Sequence, residues 1–136
     1  PGEYPGRYRN VIPNFFALAK AGQPLTITGT GDETRDFTYI TDSVGLTLKA
    51  GIDERAIGRV YNVGSGKETT IGRLAEVINE LTGNQAGTIY QPPRNWDHIP
   101  RRLADISRAA QELDYAPTVE LEEGLERAWA WLKENI

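Results

Sequence analysis

The runs with strand character in this chain are four residues long, and they are set among longer stretches with helical periodicity. Leu25-Thr26-Ile27-Thr28, Phe37-Thr38-Tyr39-Ile40, Val60-Tyr61-Asn62-Val63 and Thr88-Ile89-Tyr90-Gln91 carry the β-branched and aromatic residues that suit a pleated, half-buried surface. That supply of strands is low for an independent doubly wound sheet. The pattern therefore predicts a mixed α/β, or α+β, domain in which helices do much of the burying.

The helices announce their own boundaries. Val11, Phe15, Phe16, Leu18 and Ala19 fall near helical spacing, with Pro13 in a first turn and Gly22 as a stop. Asp42 is the expected N-cap of a helix carrying Val44, Leu46 and Leu48 and ending near Gly51. Ile71, Leu74, Ala75, Ile78 and Leu81 recur at steps of three and four, with Thr69 or Thr70 as cap and Gly83 as terminator. Asp105 is expected to cap a short helix with Ile106, Ala109, Ala110 and Leu113 on one face. Leu121, Leu125, Ala128, Trp129 and Leu132 make the stripe of a final helix, with Glu120, Glu122 and Glu123 at its positive end. Pro92, Pro93 and Pro100 make the stretch around them extended and irregular. With no repeat, low-complexity tract or interior linker, residues 1–136 read as one domain.

Composition removes several classes of function. A chain with 39% hydrophobic and 25% charged residues buries a core, which argues against disorder. A net charge of −4 argues against nucleic acid or an anionic membrane as partner. No apolar run approaches the ~20 residues that span a bilayer, so the expected setting is the cytoplasm. The absence of cysteine excludes disulfides and thiolate metal sites. His98, the only histidine, has no carboxylate at ligand spacing, so no metal site is expected and the side chain reads as exposed. There is no methionine, and the chain opens on the turn-rich Pro1-Gly2-Glu3-Tyr4-Pro5-Gly6, which reads as an excised piece or, alternatively, a processed mature domain.

Four groups of residues have chemistry to offer. In Thr34-Arg35-Asp36-Phe37, Arg35 sits at the mouth of an expected strand, straight after Gly29-Thr30-Gly31-Asp32-Glu33. A guanidinium there suits a bidentate grip on phosphate, with the neighbouring Asp36 to orient it, or a surface ion pair. Asn10, ahead of Val11-Ile12-Pro13, suits helix capping or a hydrogen bond to ligand. Thr26 and Thr28 share one side of an amphipathic strand. In Arg94-Asn95-Trp96-Asp97, an arginine suits phosphate and an aspartate suits ribose hydroxyls, while Trp96 is either a lid on ligand or packed under its loop. Arg101 and Arg102 are solvated charges or further phosphate contacts.

Taken together, Asn10-Val11-Ile12-Pro13, Thr34-Arg35-Asp36-Phe37-Thr38-Tyr39, Tyr61-Asn62-Val63-Gly64-Ser65-Gly66 and the Arg94, Asp97, Asp105 spacing resemble the carboxy-terminal half of the nucleotide-sugar epimerases and dehydratases of the extended short-chain dehydrogenase/reductase family, UDP-glucose 4-epimerase among them. The resemblance runs through to Leu121-Glu122-Glu123-Gly124-Leu125. It implies the small carboxy-terminal substrate lobe of a Rossmann-type enzyme, with residues 60–63 as a strand returning to the main sheet. By the same resemblance, Arg35 and Arg94 face the diphosphate of a UDP-, dTDP- or GDP-hexose, with Phe37 beside it. Asn10 and the Val11 backbone also touch ligand, Thr26 and Thr28 flank base and ribose, and Asp97 takes the ribose hydroxyls. Threonine stands at position 28 where relatives carry an aromatic ring, which leaves base selection open.

Neither a three-glycine dinucleotide fingerprint nor a Tyr-x-x-x-Lys pair occurs in these residues; Gly29-x-Gly31 and Gly64-x-Gly66 read as turns. The resemblance thus implies that NAD or NADP and the catalytic tyrosine belong to an amino-terminal Rossmann domain outside this chain. It implies no catalytic residue and no turnover by residues 1–136 alone. The missing neighbour leaves unpaired strand edges, so self-association or marginal stability is expected, and a homo-oligomeric parent with it. The competing readings are a non-catalytic nucleotide-sugar-binding or oligomerisation module, and a parent acting on a flavonoid or steroid ketone, against which the two arginines argue.

Overall fold

A computed structural model describes residues 10–93 and 99–135. The described residues fall into two compact units, one holding 10–32, 71–93 and 125–135, the other 33–70 and 99–124.

The first unit is built on helix α1 (Val11–Lys20), strand β1 (Leu25–Thr28), helix α3 (Ile71–Thr82), strand β4 (Thr88–Gln91) and most of helix α5 (Leu121–Asn135). β1 alternates as a half-buried strand should, with Leu25 and Ile27 buried and Thr26 and Thr28 on the other face. It pairs in parallel with β4, Leu25 opposite Thr88 and Thr28 opposite Gln91. α3 has the most clearly one-sided sequence, and it buries Leu74, Ala75, Val77 and Ile78 where α1 brings Phe15, Phe16 and Ala19. Trp129 of α5 stacks on Phe16 at 5.2 Å between ring centres. Each large side chain fully buried in this way contributes about 1.5–3 kcal/mol.

Both helices stop where glycine predicts. After α1, the Gly22 and Gln23 amides turn back to the carbonyls of Ala19 and Leu18. After α3, Gly83 takes φ +67° and lets the Asn84 amide reach the Asn79 carbonyl at 3.0 Å. A left-handed residue is needed there, and glycine adopts it without a Cβ clash. α1 starts at Val11, two residues before Pro13; the proline is still in the first turn, where its missing N–H has no intrahelical acceptor to lose.

The second unit holds β2 (Thr34–Arg35), α2 (Ile40–Ile52), a 3-10 turn (Glu54–Ala56), β3 (Thr69–Thr70), α4 (Ser107–Leu113) and the first turn of α5. β2 and β3 are antiparallel, Thr34 opposite Thr70 and Arg35 opposite Thr69. Leu46, Ala56, Ala109, Leu113 and Tyr115 form its core, with Ala50, Tyr61 and Ile106 packed around them.

Several expected elements fall differently. Residues 37–39 belong to no strand and Ile40 opens α2, because β3 stops at two residues and Tyr39, at φ −74° and ψ 146°, is already the N-cap. Asp42 is therefore not the cap but lies inside the first turn. It is buried, and its carboxylate accepts from the Thr118 hydroxyl (2.7 Å), the Thr118 amide (3.1 Å) and the Val119 amide (3.2 Å). Residues 60–63 join no strand among the described residues, and Val60 is 79% exposed; a strand needs a ladder partner. Asp105 works one position ahead of a cap, accepting from the Ser107 amide and hydroxyl while Ile106 holds the N-cap position of α4.

Candidate functional site

Arg35 ends β2 and is half-buried. Its Nη1 donates to three carbonyls, those of Thr34 (2.7 Å), Ile99 (3.3 Å) and Pro100 (3.4 Å). The guanidinium thus leans on the start of the 99–104 segment, and that segment also runs beside Thr34. The Thr34 amide donates to the Pro100 carbonyl at 2.8 Å, the Arg102 amide donates to the Thr34 carbonyl at 3.2 Å, and Thr34 and Arg101 form a parallel bridge.

Glu68 completes this side. It accepts from the Thr34 hydroxyl at 2.6 Å and from Arg101 through both Nε (2.9 Å) and Nη2. The Arg101 hydrogen bond, then that of Thr34, holds the Glu68 carboxyl down to about 2, and Glu68 in turn raises the Arg101 guanidinium. Arg101 is therefore neither a simple solvated charge nor a donor held out for phosphate; it is the fork of a bidentate ion pair. Arg102 is exposed.

Asp36, the next residue, serves another loop. Its Oδ1 accepts from the Ser65 hydroxyl at 2.6 Å and the Ser65 amide at 2.7 Å, and its Oδ2 from the amides of Gly66 (3.0 Å) and Ala104 (3.3 Å). Partial burial works to raise its pKa, but the Ser65 hydroxyl and the amides of Ser65, Gly66 and Ala104 together carry it below the ordinary value. The close approach depends on Gly64, where a Cβ would lie 2.5 Å from the Ala104 Cβ and 2.6 Å from Asp36 Oδ2. The sequence reads Gly64-Ser65-Gly66 as a turn and assigns Ser65 no partner. The signal was present in an Asp followed some 30 residues later by Gly-Ser-Gly, whose amides form a natural anion cradle.

That cradle bears on cofactors. A dinucleotide pyrophosphate needs backbone amides at a helix N-terminus. Here the Ser65 and Gly66 amides already hold the Asp36 carboxylate, so an incoming pyrophosphate would meet a like charge. Gly29 and Gly31 sit in the turn between β1 and β2, where the Gly29 amide bonds the Gln91 carbonyl and the Gly31 carbonyl accepts from Gly72. Neither loop fits the dinucleotide. Among the described residues there is no cluster of metal-ligating side chains.

The expected ligand contacts divide between the units. Arg35 and the half-buried Phe37 belong to the second. Asn10, Val11, Thr26 and Thr28 belong to the first. Asn10 is exposed at the N-terminus of α1 and its side chain makes no capping hydrogen bond, so of its two expected uses capping is not the one adopted. Val11 is the first residue of the helix and half-buried. Thr26 and Thr28 stand on the face of β1 turned from Leu25 and Ile27. Arg94, Trp96, Asp97 and His98 lie outside the described residues.

Known proteins share this fold. The chain superposes on an epimerase of the thermophilic methanogen Methanothermobacter thermautotrophicus with a TM-score of 0.94 and 51% identity, over 99% of this chain and 40% of that one. It is similar to the UDP-glucuronic acid 4-epimerase of Bacillus cereus, solved in complex with UDP-glucuronic acid and NAD, with a TM-score of 0.84 and 30% identity over 96% of this chain and 41% of that one. A UDP-N-acetyl-alpha-D-glucosaminuronate decarboxylase of Bacillus cytotoxicus is 34% identical over 134 residues, 95% of this chain and 41% of the relative. The chain thus spans about two fifths of the length of the relatives it matches. Its mixed α/β structure is that of the carboxy-terminal part of extended short-chain dehydrogenase/reductase epimerases. With the GDP-mannose 4,6 dehydratase family model matching residues 3–128, the chain belongs to that family of NAD-dependent nucleotide-sugar epimerases and dehydratases.

Proposed function

We propose that residues 1–136 are the substrate-binding portion of an NAD(P)-dependent nucleotide-sugar epimerase or dehydratase, holding the nucleoside diphosphate while other residues of the parent act on the hexose at C4. The observation that carries this is Arg35, a half-buried residue whose guanidinium is steadied by three carbonyls at the end of a strand in a chain of this family. Steadied in that way, a planar fork loses little further freedom on gripping phosphate oxygens. Phe37 lies beside the ligand in this reading, Asn10 and the Val11 backbone contact it, Thr26 and Thr28 flank the base and ribose, and Arg94 and Asp97 take the diphosphate and ribose from the other loop.

The hydride chemistry belongs to NAD or NADP and a tyrosine outside these residues, in an amino-terminal Rossmann domain. What this chain does is bind and orient, and alone it turns nothing over. The proposed setting is the cytoplasm and the proposed parent a homo-oligomer. No described helix is long and apolar enough to cross a membrane.

The test is thermal unfolding of the protein with UDP, dTDP and GDP and their hexoses at millimolar concentration. A ligand that binds the folded form alone raises the midpoint, by about 2.7 kcal/mol of stability at a hundred times Kd. The expected result is a shift selective for one base and lost in Arg35→Ala. A cooperatively folding chain with no shift for any of them overturns the reading.

A further inference from the structure

Three consecutive side chains, Thr34, Arg35 and Asp36, each grip something different, and the third has no ligand role in the reading above. Asp36 collects five hydrogen bonds, one from the nearby Thr38 hydroxyl and four from two separate segments, three from the loop at Ser65 and Gly66 and one from Ala104. Ala104 ends the same 99–104 segment whose beginning is held by the Arg35 guanidinium at Ile99 and Pro100. The segment is thus tied to β2 at both ends, with the backbone bonds of Thr34 between them. The absence of a side chain at Gly64 lets the turn come this close, since even one added carbon would collide with Ala104 and Asp36.

We propose, resting on the nucleotide-sugar reading, that Asp36 is a positioning residue for Arg35. It locks the end of β2 between the Gly64-Ser65-Gly66 turn and the 99–104 segment, so that the guanidinium meets the diphosphate from a fixed place. The side chain itself touches no ligand. Its effect on affinity therefore passes through Arg35 and through the phosphates. An aspartate that only stabilised the fold would weaken every ligand alike, with or without Arg35.

The experiment is a double-mutant cycle read by calorimetric affinity on the full chain, with UDP, dTDP and GDP as probes and the matching nucleosides as controls. Arg35→Ala is expected to weaken the bound diphosphate roughly ten-fold or more, the scale of a lost charged hydrogen bond. Asp36→Asn keeps the shape but turns an NH2 group toward amide donors, and is expected to cost about five-fold for the diphosphate. It should leave the nucleoside unchanged and add nothing in the Arg35→Ala background. Ser65→Ala is the gentler variant should Asp36→Asn fail to fold. It removes one of the five hydrogen bonds to Asp36 and should cost about two-fold, again only with Arg35 present. Equal losses with and without Arg35, or equal losses for nucleoside and diphosphate, overturn the positioning role while leaving the nucleotide-sugar reading intact. No affinity of the folded unsubstituted chain for any of the three diphosphates overturns the reading itself, and the inference with it.

Discussion

Replacing Asp42 with alanine should destabilise the second unit more than any comparable surface change. Asp42 is 7% exposed, and its carboxylate receives three hydrogen bonds from the residues just ahead of α5, at 2.7, 3.1 and 3.2 Å. A hydrogen bond to a charged group contributes about 1.5–3 kcal/mol, and stranding a part-buried amide costs about 1 kcal/mol, the low end of the range for a buried one. The three bonds share one acceptor group and do not add, so the expected loss for Asp42→Ala is about 3 kcal/mol. With a urea slope of about 2 kcal/mol per molar, the midpoint should fall by roughly 1.5 M at unchanged slope. Thr118→Val removes the hydroxyl donor and leaves both amide bonds, so it should cost about 1 kcal/mol. In the Asp42→Ala background the same change should cost almost nothing. The assay is urea unfolding followed by circular dichroism at low protein concentration. A loss below about 0.5 kcal/mol for Asp42→Ala, the scale of an ordinary surface change, would refute the reasoning. So would an equal cost of Thr118→Val in the two backgrounds.

Two further outcomes are expected. Glu68 has its carboxyl held down to about 2 by Arg101 and Thr34, against an ordinary 4.5. A depressed folded pKa gives stability that is complete above pH 4.5 and is lost as pH falls toward 2. Glu68→Gln should therefore flatten the acid limb of the stability profile in that window alone; an unchanged limb in parallel acid titrations would count against the ion pair. Ile40, Val44, Leu48 and Ile52 recur every fourth residue along α2 and are 63%, 46%, 64% and 85% exposed, with Ile57 and Val60 exposed nearby in sequence. An apolar stripe of that length should make the chain self-associate, seen as a sedimentation coefficient that rises with concentration. A monomer at several hundred micromolar would contradict it.

Much of this was legible in the sequence, because local physics decides it. The spacing of Leu74, Ala75 and Ile78 makes α3, the left-handed need at Gly83 ends it, and the alternation of Leu25 and Ile27 makes β1. The family, too, could be read from the order of short motifs. Strand partners are another matter, since a run such as 60–63 is a strand only where a ladder exists beside it, and 37–39 lost that role when β3 stopped at two residues. Nor could the sequence say whom each charge would meet. Asp36 finds Ser65, Asp42 finds Thr118 and Glu68 finds Arg101 across 29, 76 and 33 positions of chain. Periodicity depends on neighbours three or four residues away, whereas a carboxylate takes whatever donor the folded backbone brings within about 3 Å, and only the tertiary structure decides which donor that is.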